Sequence, residues 1–327
     1  MIDRRRFCCT ALAGSALAAR PALSTEAYPS SRPITVIVSY PPGGDTDAIA
    51  RLFADKLGQR LKQTVLIDNR PGAGGAIGNG LAGRARPDGY TLLFTPNPFT
   101  TAPLVMKLSG AAAYDVLGGY EAIINTATQP LVLVCSPRLG IKTLPQLVAK
   151  ARAGATVSYA SPGAGSPMHI LGEWLNQAAG VKFSHVPYRG VGPSVTDVVA
   201  GHVDTAWVTF GPVRQYLDAG KLVALAVGDA KRSPLAPQVP TLVELGYKDV
   251  VVSAWNGFFA PRKTPAAVIA LLNEHLNAIL QEPEVVEKLA TFGALPAGGT
   301  PKVLAELNQR EYAVMGKAIR DLGIAAE

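Results

Sequence analysis

Residues 39–57 read SYPPGGDTDAIARLFADKL, directly behind the apolar run Ile34–Val38. Pro41 and Pro42 fix φ and donate no backbone N–H. Gly43 and Gly44 permit positive φ and close approach of another group to the backbone. Asp45, Thr46 and Asp47 are all residue types that cap helix N-termini. Ile49, Leu52, Phe53 and Leu57 then recur at helical spacing, which predicts one buried face over 47–61. The stretch therefore reads as a strand, a bare tight loop and a helix start. The N–H groups of such a start favour an anion. Read alone, the same stretch also fits a capped turn with no ligand.

The pattern continues along the chain. Strands are expected at 34–38, 64–67, 91–94, 131–134, 156–159, 183–186, 205–208 and 222–227, with helices at 144–153, 168–179, 193–200 and 212–219. This alternation predicts an α/β fold with mostly parallel sheets flanked by helices, and the length of 327 residues fits two lobes. A helical tail follows at 266–280, 284–292 and 301–322, with Thr264-Pro265 and Thr300-Pro301 as start signals. The segment VVSAWNGFFAP (251–261) reads as a strand between lobes. Most informative is a near-repeat: SYPPGGDT (39–46) and SYASPGAGS (158–166) each follow an apolar run with Ser-Tyr, cross a Pro/Gly loop and open a helix. Ligands of α/β sheets bind outside the carboxyl ends of strands, where such loops sit. Two of them predict two jaws on one cleft.

The N-terminus is basic (Arg4, Arg5, Arg6, then Phe7), followed by a short Ala/Gly-rich apolar run and the small residues Ala22-Leu23-Ser24. This reads as an export signal over residues 1–24 of the twin-arginine type, with a general secretory signal as the alternative. Removing Arg4, Arg5, Arg6, Arg20 and Asp3 lowers the formal charge of +7 to about +4. Basic residues are not interleaved with aromatics, so nucleic acid is not expected as a partner. Cys8 and Cys9 leave with the signal, and Cys135, in an apolar run, has no partner for an intramolecular disulfide. No stretch has the ~20 apolar residues of a membrane span. Hence the mature protein is expected to be soluble and periplasmic.

Ser161 and Ser166 in the second loop could hydrogen-bond carboxylate oxygens, each such bond to a charged group contributing roughly 1.5–3 kcal/mol. Ser166 as a plain helix cap is the alternative. His169 lies one turn into that helix, where a structural histidine is the simpler reading. His185, His202 and His275 lack metal-ligand spacing, so neither a metal nor a cofactor is expected. The glycine run DNRPGAGGAIG (68–78) breaks the dinucleotide fingerprint at Ile77 and reads as a flexible turn before a helix. No nucleophile elbow or phosphate loop is present. An exported hydrolase using Ser166 and His169 is the enzymatic alternative; the main reading is not an enzyme.

Taken together, the motifs YPPGG (40–44) with Asp47 and Ala50-Arg51, NRPGAGG (69–75), PDGYTLL (87–93), YAS (159–161) with His169, HVPYRG (185–190), GHVD (201–204) and AKRSP (230–234) resemble the Bug family, the substrate-binding components of tripartite tricarboxylate transporters. The resemblance spans nearly the whole mature chain. It implies a two-lobed periplasmic binding protein, type II-like, with lobe 1 over 28–128 plus 253–327, lobe 2 over 129–252, and crossover strands near 126–136 and 225–260. It implies a monomer that holds a small carboxylate and delivers it to membrane subunits. A ligand-sensing partner of a membrane receptor is the alternative. By the same resemblance, Gly43, Gly44, Asp45 and Thr46 hold a carboxylate from one side and Tyr40 lies against the ligand. Ser161, Gly163, Ala164, Gly165, Ser166 and His169 act from the other lobe. Asn97 and Tyr188 line the cleft, and Val208, Thr209 and Phe210 meet the far end.

Asp45 departs from the small or glycine residue common at its place. Two unit charges ~4 Å apart repel by roughly 4 kcal/mol at an effective dielectric of 20. Asp45 is therefore expected either to turn outward or to face a polar or cationic part of the ligand. Val208-Thr209 replace an Asp-Asn pair, which points to a non-amino mono- or dicarboxylate, an aromatic one included.

Overall fold

The computed structural model describes residues 28–324, so the export signal proposed for 1–24 lies outside the described residues. The first half of the chain runs β1 (Ile34–Val38), α1 (Asp45–Leu61), β2 (Val65–Asn69), α2 (Ala76–Gly83), β3 (Thr91–Pro96), α3 (Pro98–Val105) and β4 (Tyr120–Gln129). It continues through β5 (Leu131–Cys135), α4 (Leu144–Arg152), β6 (Val157–Ser161), α5 (Pro167–Ala179), β7 (Phe183–Pro187), α6 (Val191–Ala200), β8 (Thr205–Thr209), α7 (Phe210–Asp218) and β9 (Val223–Val227). The chain then returns through β10 (Ala254–Pro261), α8 (Ala266–Leu280), α9 (Pro283–Thr291), the short β11 (Leu295–Pro296) and α10 (Pro301–Asp321).

Two sheets result, in the orders β11-β4-β10-β3-β1-β2 and β7-β6-β8-β5-β9. Each has a parallel core, β2-β1-β3 and β7-β6-β8, as the βαβ alternation predicts. Both sheets are nevertheless mixed, because the strands that carry the chain from one to the other enter antiparallel: β10 against β3 and β4, and β5 against β8 and β9. β4 and β5 are one extended run interrupted at Pro130, whose missing N–H cannot continue a ladder.

Alternate residues of β5 serve two cores. Leu131, Leu133 and Cys135 join Leu144, Tyr159, Leu171, Leu175 and Trp207, whereas Val132 and Val134 join Ala160, Val195, Ala206 and Val213. Burial on both faces explains a continuous apolar run instead of alternation. In the first sheet, Val36 and Val38 meet the α1 face of Ile49, Phe53 and Leu57, all fully buried. Each such side chain contributes about 1.5–3 kcal/mol on burial. α10 belongs to both cores: Leu304 packs with Phe99 and Phe259 beside the first sheet, while Met315 and Ile319 pack in the second. Among the described residues, no helix is long and apolar enough to cross a membrane.

Candidate ligand-binding cleft

The chain leaves β1 at Val38 and turns through residues 39–44 into α1. Gly43 has φ +86°, in the left-handed region that a glycine enters without strain. Extended Gly44 is the N-cap, so α1 opens at Asp45, two residues earlier than its periodicity indicates. Asp45 and Asp47 thus lie in the first turn, where carboxylates complement the helix dipole. Asp47 reaches back to accept the Gly43 N–H at 2.9 Å. It also accepts from Arg51 Nε at 3.0 Å and Asn69 Nδ2 at 2.9 Å, and the same Asn69 amide donates to Tyr40 O. Burial works to raise the Asp47 carboxyl, but hydrogen bonds from Arg51, Gly43 and Asn69 outweigh it and hold the group below the usual carboxylate range. The glycine run supports this loop from behind. A Cβ on Gly78 would stand 2.9 Å from Ser39 Cα, and the Tyr40 hydroxyl donates to Gly74 O at 3.1 Å.

The second loop differs in its chemistry. Here β6 runs two residues past Ser158-Tyr159 and ends at Ser161, so the Ser-Tyr pair lies inside the strand; in the first half it follows the strand. Ser166 is the N-cap of α5: its Oγ accepts the His169 N–H at 3.2 Å and donates to Gly163 O at 2.7 Å. His169 Nδ1 accepts the Gly165 N–H at 2.9 Å. The His169 ring stacks on His185 with centroids 3.9 Å apart, and His185 Nε2 lies 2.7 Å from Ser161 Oγ. Burial and the neighbouring His169 push the His185 imidazole down to about 4, so the pair is not doubly charged at neutral pH. Ser166 therefore bonds backbone groups, and the His169 ring bonds the Gly165 amide. That is helix capping, not the hydroxyl–imidazole pairing a serine nucleophile uses.

Both loops touch the opposite half of the molecule. Asp45 Oδ1 accepts the Thr46 N–H at 2.8 Å, while Oδ2 accepts from Gln129 Nε2 at 3.1 Å and from Thr209 Oγ1 at 3.5 Å. Thr209 ends β8 in the second sheet, so the carboxylate spans the gap between the sheets. Gly165, at φ +70°, backs against Val105 of α3 so closely that a Cβ there would overlap the valine. Because β6 and β8 are adjacent, Ser161 and Thr209 lie at neighbouring carboxyl strand ends, Ser161 fully buried with its Oγ bonded to Gly163 O and 2.7 Å from His185 Nε2.

Of the other residues expected at the cleft, Val208, Phe210 and Asn97 are buried. Val208 is fully buried in the core of Ala160, Val195 and Ala206, since β8 turns it to the face opposite Thr209, and Phe210 is buried in the same core. Asn97 is 2% exposed and donates to Glu311 Oε1 at 2.9 Å and Ser253 O at 3.1 Å. Its amide thus ties α3 to β10 and α10. Half-buried Tyr188 donates to Asp197 Oδ2 at 2.6 Å, and burial together with that carboxylate pushes its phenol up to about 12. Tyr40, half-buried, sits close enough to Asp45 that burial and this charge both raise its phenol. Gly44 and Ala164 lie on the two loops.

Sequence reasoning missed Gln129. Asn256 Nδ2 holds its Oε1 at 3.0 Å, which aims Nε2 at Asp45. A polar side chain ending a strand just before Pro130 was the available signal. It also missed Glu311, which Asn97 and Trp255 Nε1 both hydrogen-bond where α10 passes between the cores. Burial pushes this carboxyl up to about 7 against those two bonds. Among the described residues no group of three or more His, Cys, Asp or Glu side chains is placed to hold a metal.

Two mixed sheets joined by crossover strands, with a helix-opening loop from each reaching the opposite half, define a two-lobed α/β binding protein. The chain belongs to the tripartite tricarboxylate transporter family of receptors, whose family model matches residues 49–324. That match begins inside α1 and leaves the β1–α1 loop outside it. The chain is 40% identical over 283 residues to Protein BugT of Bordetella pertussis (strain Tohama I), covering 85% of each. It is similar to the R. palustris protein Rpa4515 with adipate (29% identity, TM-score 0.82, covering 91% of this chain and 99% of that one). It is similar also to MatC of Rhodopseudomonas palustris with bound malate (29% identity, TM-score 0.77, covering 89% and 99%). Members of this family are binding proteins, not enzymes.

Proposed function

We propose that the chain is an exported, periplasmic and monomeric solute-binding protein. It captures a small carboxylate between the β1–α1 and β6–α5 loops and delivers it to the membrane subunits of a tripartite transporter. Lobe 1 then comprises 28–128 with 253–327, and lobe 2 comprises 129–252. The observation that supports this reading is Asp45 of the β1–α1 loop against Thr209 at the carboxyl end of β8, a contact from one sheet to the other. The α5 start, capped by neutral groups, offers the ligand's carboxylate a partial positive end. Solved relatives carrying adipate and malate support the ligand class. Residues 1–24 carry the export signal in this reading. The test is unfolding of the mature protein against a panel of carboxylates. A ligand at about 100 times its Kd stabilises the folded state by about 2.7 kcal/mol. Absence of any shift across the panel rejects the proposal.

A further inference from the structure

Asp45 is the feature the binding role does not absorb. A carboxylate-binding cleft has a carboxylate of its own, and it points inward. Its Oδ1 takes the Thr46 N–H of α1, so the chain itself supplies an anion to that helix start. Its Oδ2 faces two donors that are nine-tenths or more buried, Gln129 at 2% and Thr209 at 4% exposure. The Thr209 bond is long at 3.5 Å, whereas a carboxylate accepts up to about four hydrogen bonds. No described Lys or Arg forms an ion pair with Asp45; Arg51, the nearest cation along α1, is bound to Asp47 and Asn69. Acceptor capacity is therefore left over at the gap, with negative charge uncompensated by a neighbouring cation.

We infer that Asp45 is the specificity-determining residue of the cleft, and that it selects carboxylates whose other end carries a hydrogen-bond donor, a hydroxyl or an ammonium, over dicarboxylates. The inference rests on the binding role proposed above. The ligand's carboxylate lies toward the α5 start, whose caps Ser166 and His169 are neutral, because Asp45 at the α1 start repels it. The rest of the ligand spans the gap to Asp45 Oδ2. A donor there completes the carboxylate's bonding, and a second carboxylate meets like charge. This reverses the expectation from Val208-Thr209: the acid missing from β8 is supplied by the opposite lobe.

The test uses ligands that differ only at the far end: butyrate, 4-hydroxybutyrate, 4-aminobutyrate and succinate, with the six-carbon set hexanoate, 6-hydroxyhexanoate, 6-aminohexanoate and adipate. Affinities are measured by titration calorimetry on the mature protein and on Asp45→Asn and Asp45→Ser, each first shown to unfold cooperatively. In the parent, the hydroxy or amino member of at least one set is expected to bind at least tenfold tighter than its dicarboxylate. In Asp45→Asn the preference for the amino member falls at least tenfold and dicarboxylate binding strengthens. Dicarboxylate binding to the parent that equals or exceeds that of the hydroxy and amino members, unchanged in both variants, overturns the inference but leaves the binding role standing. If no member of either set binds any of the three proteins, both fall.

Discussion

The β1–α1 and β6–α5 loops share one backbone plan and carry opposite chemistry. Both leave a central parallel strand, pass through proline and positive-φ glycine, and open a helix. The first is fixed by charge: Asp47 is clamped by Arg51 and Asn69, and Asp45 fills the helix start. The second is fixed by neutral groups, a serine cap and two stacked imidazoles. The same anion-attracting terminus thus carries a carboxylate in one lobe and neutral capping groups in the other. A repeat of backbone form is not a repeat of function, because side chains at the helix start decide what the terminus binds.

The largest expected effect breaks the second loop alone. Gly165→Val places a β-branched side chain at φ +70° and against Val105, so the lobes cannot meet as they do here. Carboxylate binding should weaken more than 100-fold by calorimetry; affinity within threefold of the parent would show that this contact is not needed for binding. Asp47→Ala sharpens the contrast from the other side. It strips the Gly43 N–H, Arg51 and Asn69 of their shared partner, and urea unfolding should show a loss of about 1–3 kcal/mol, less than a fully buried pair because Arg51 is half exposed.

The smallest effect is in pH. The folded His185 titrates near 4, below its ordinary 6.5, so the unfolded chain binds the extra proton between these values. Its contribution to stability is complete above 6.5 and is lost as pH falls toward 4, with a slope of at most about 1.4 kcal/mol per pH unit and less for a half-buried ring. Glu311 acts in the opposite sense. Its folded value near 7 exceeds the ordinary 4.5, so its contribution is complete below 4.5 and lost as pH rises through 7. The parent should therefore show a shallow profile between pH 4.5 and 6.5. Glu311→Gln should steepen it, and adding His185→Gln should flatten it again; thermal midpoints across this range provide the measurement.

Several features were legible in the residues because they are local. The strand–loop–helix order at 34–61, the helix Ala266–Leu280 found at the limits expected for it, and the serine cap at Ser166, the alternative reading of that residue, each depend on neighbours within a few positions. The mixed character of the sheets was not legible, since strand direction depends on where β4, β5 and β10 cross between lobes. Val208 and Thr209 show the limit most sharply. They are adjacent in sequence, yet β-strand alternation sends one into the core and the other to the gap, and only the fold says which face is which.

What the sequence by itself determined is most of the elements and the two bare loops, since proline, glycine and periodic apolar residues act over short range. What only the tertiary structure decided is where Asp45 points. Its partners, Gln129 and Thr209, lie 84 and 164 residues away along the chain, and hydrogen bonds between such distant groups exist only once the two sheets have packed.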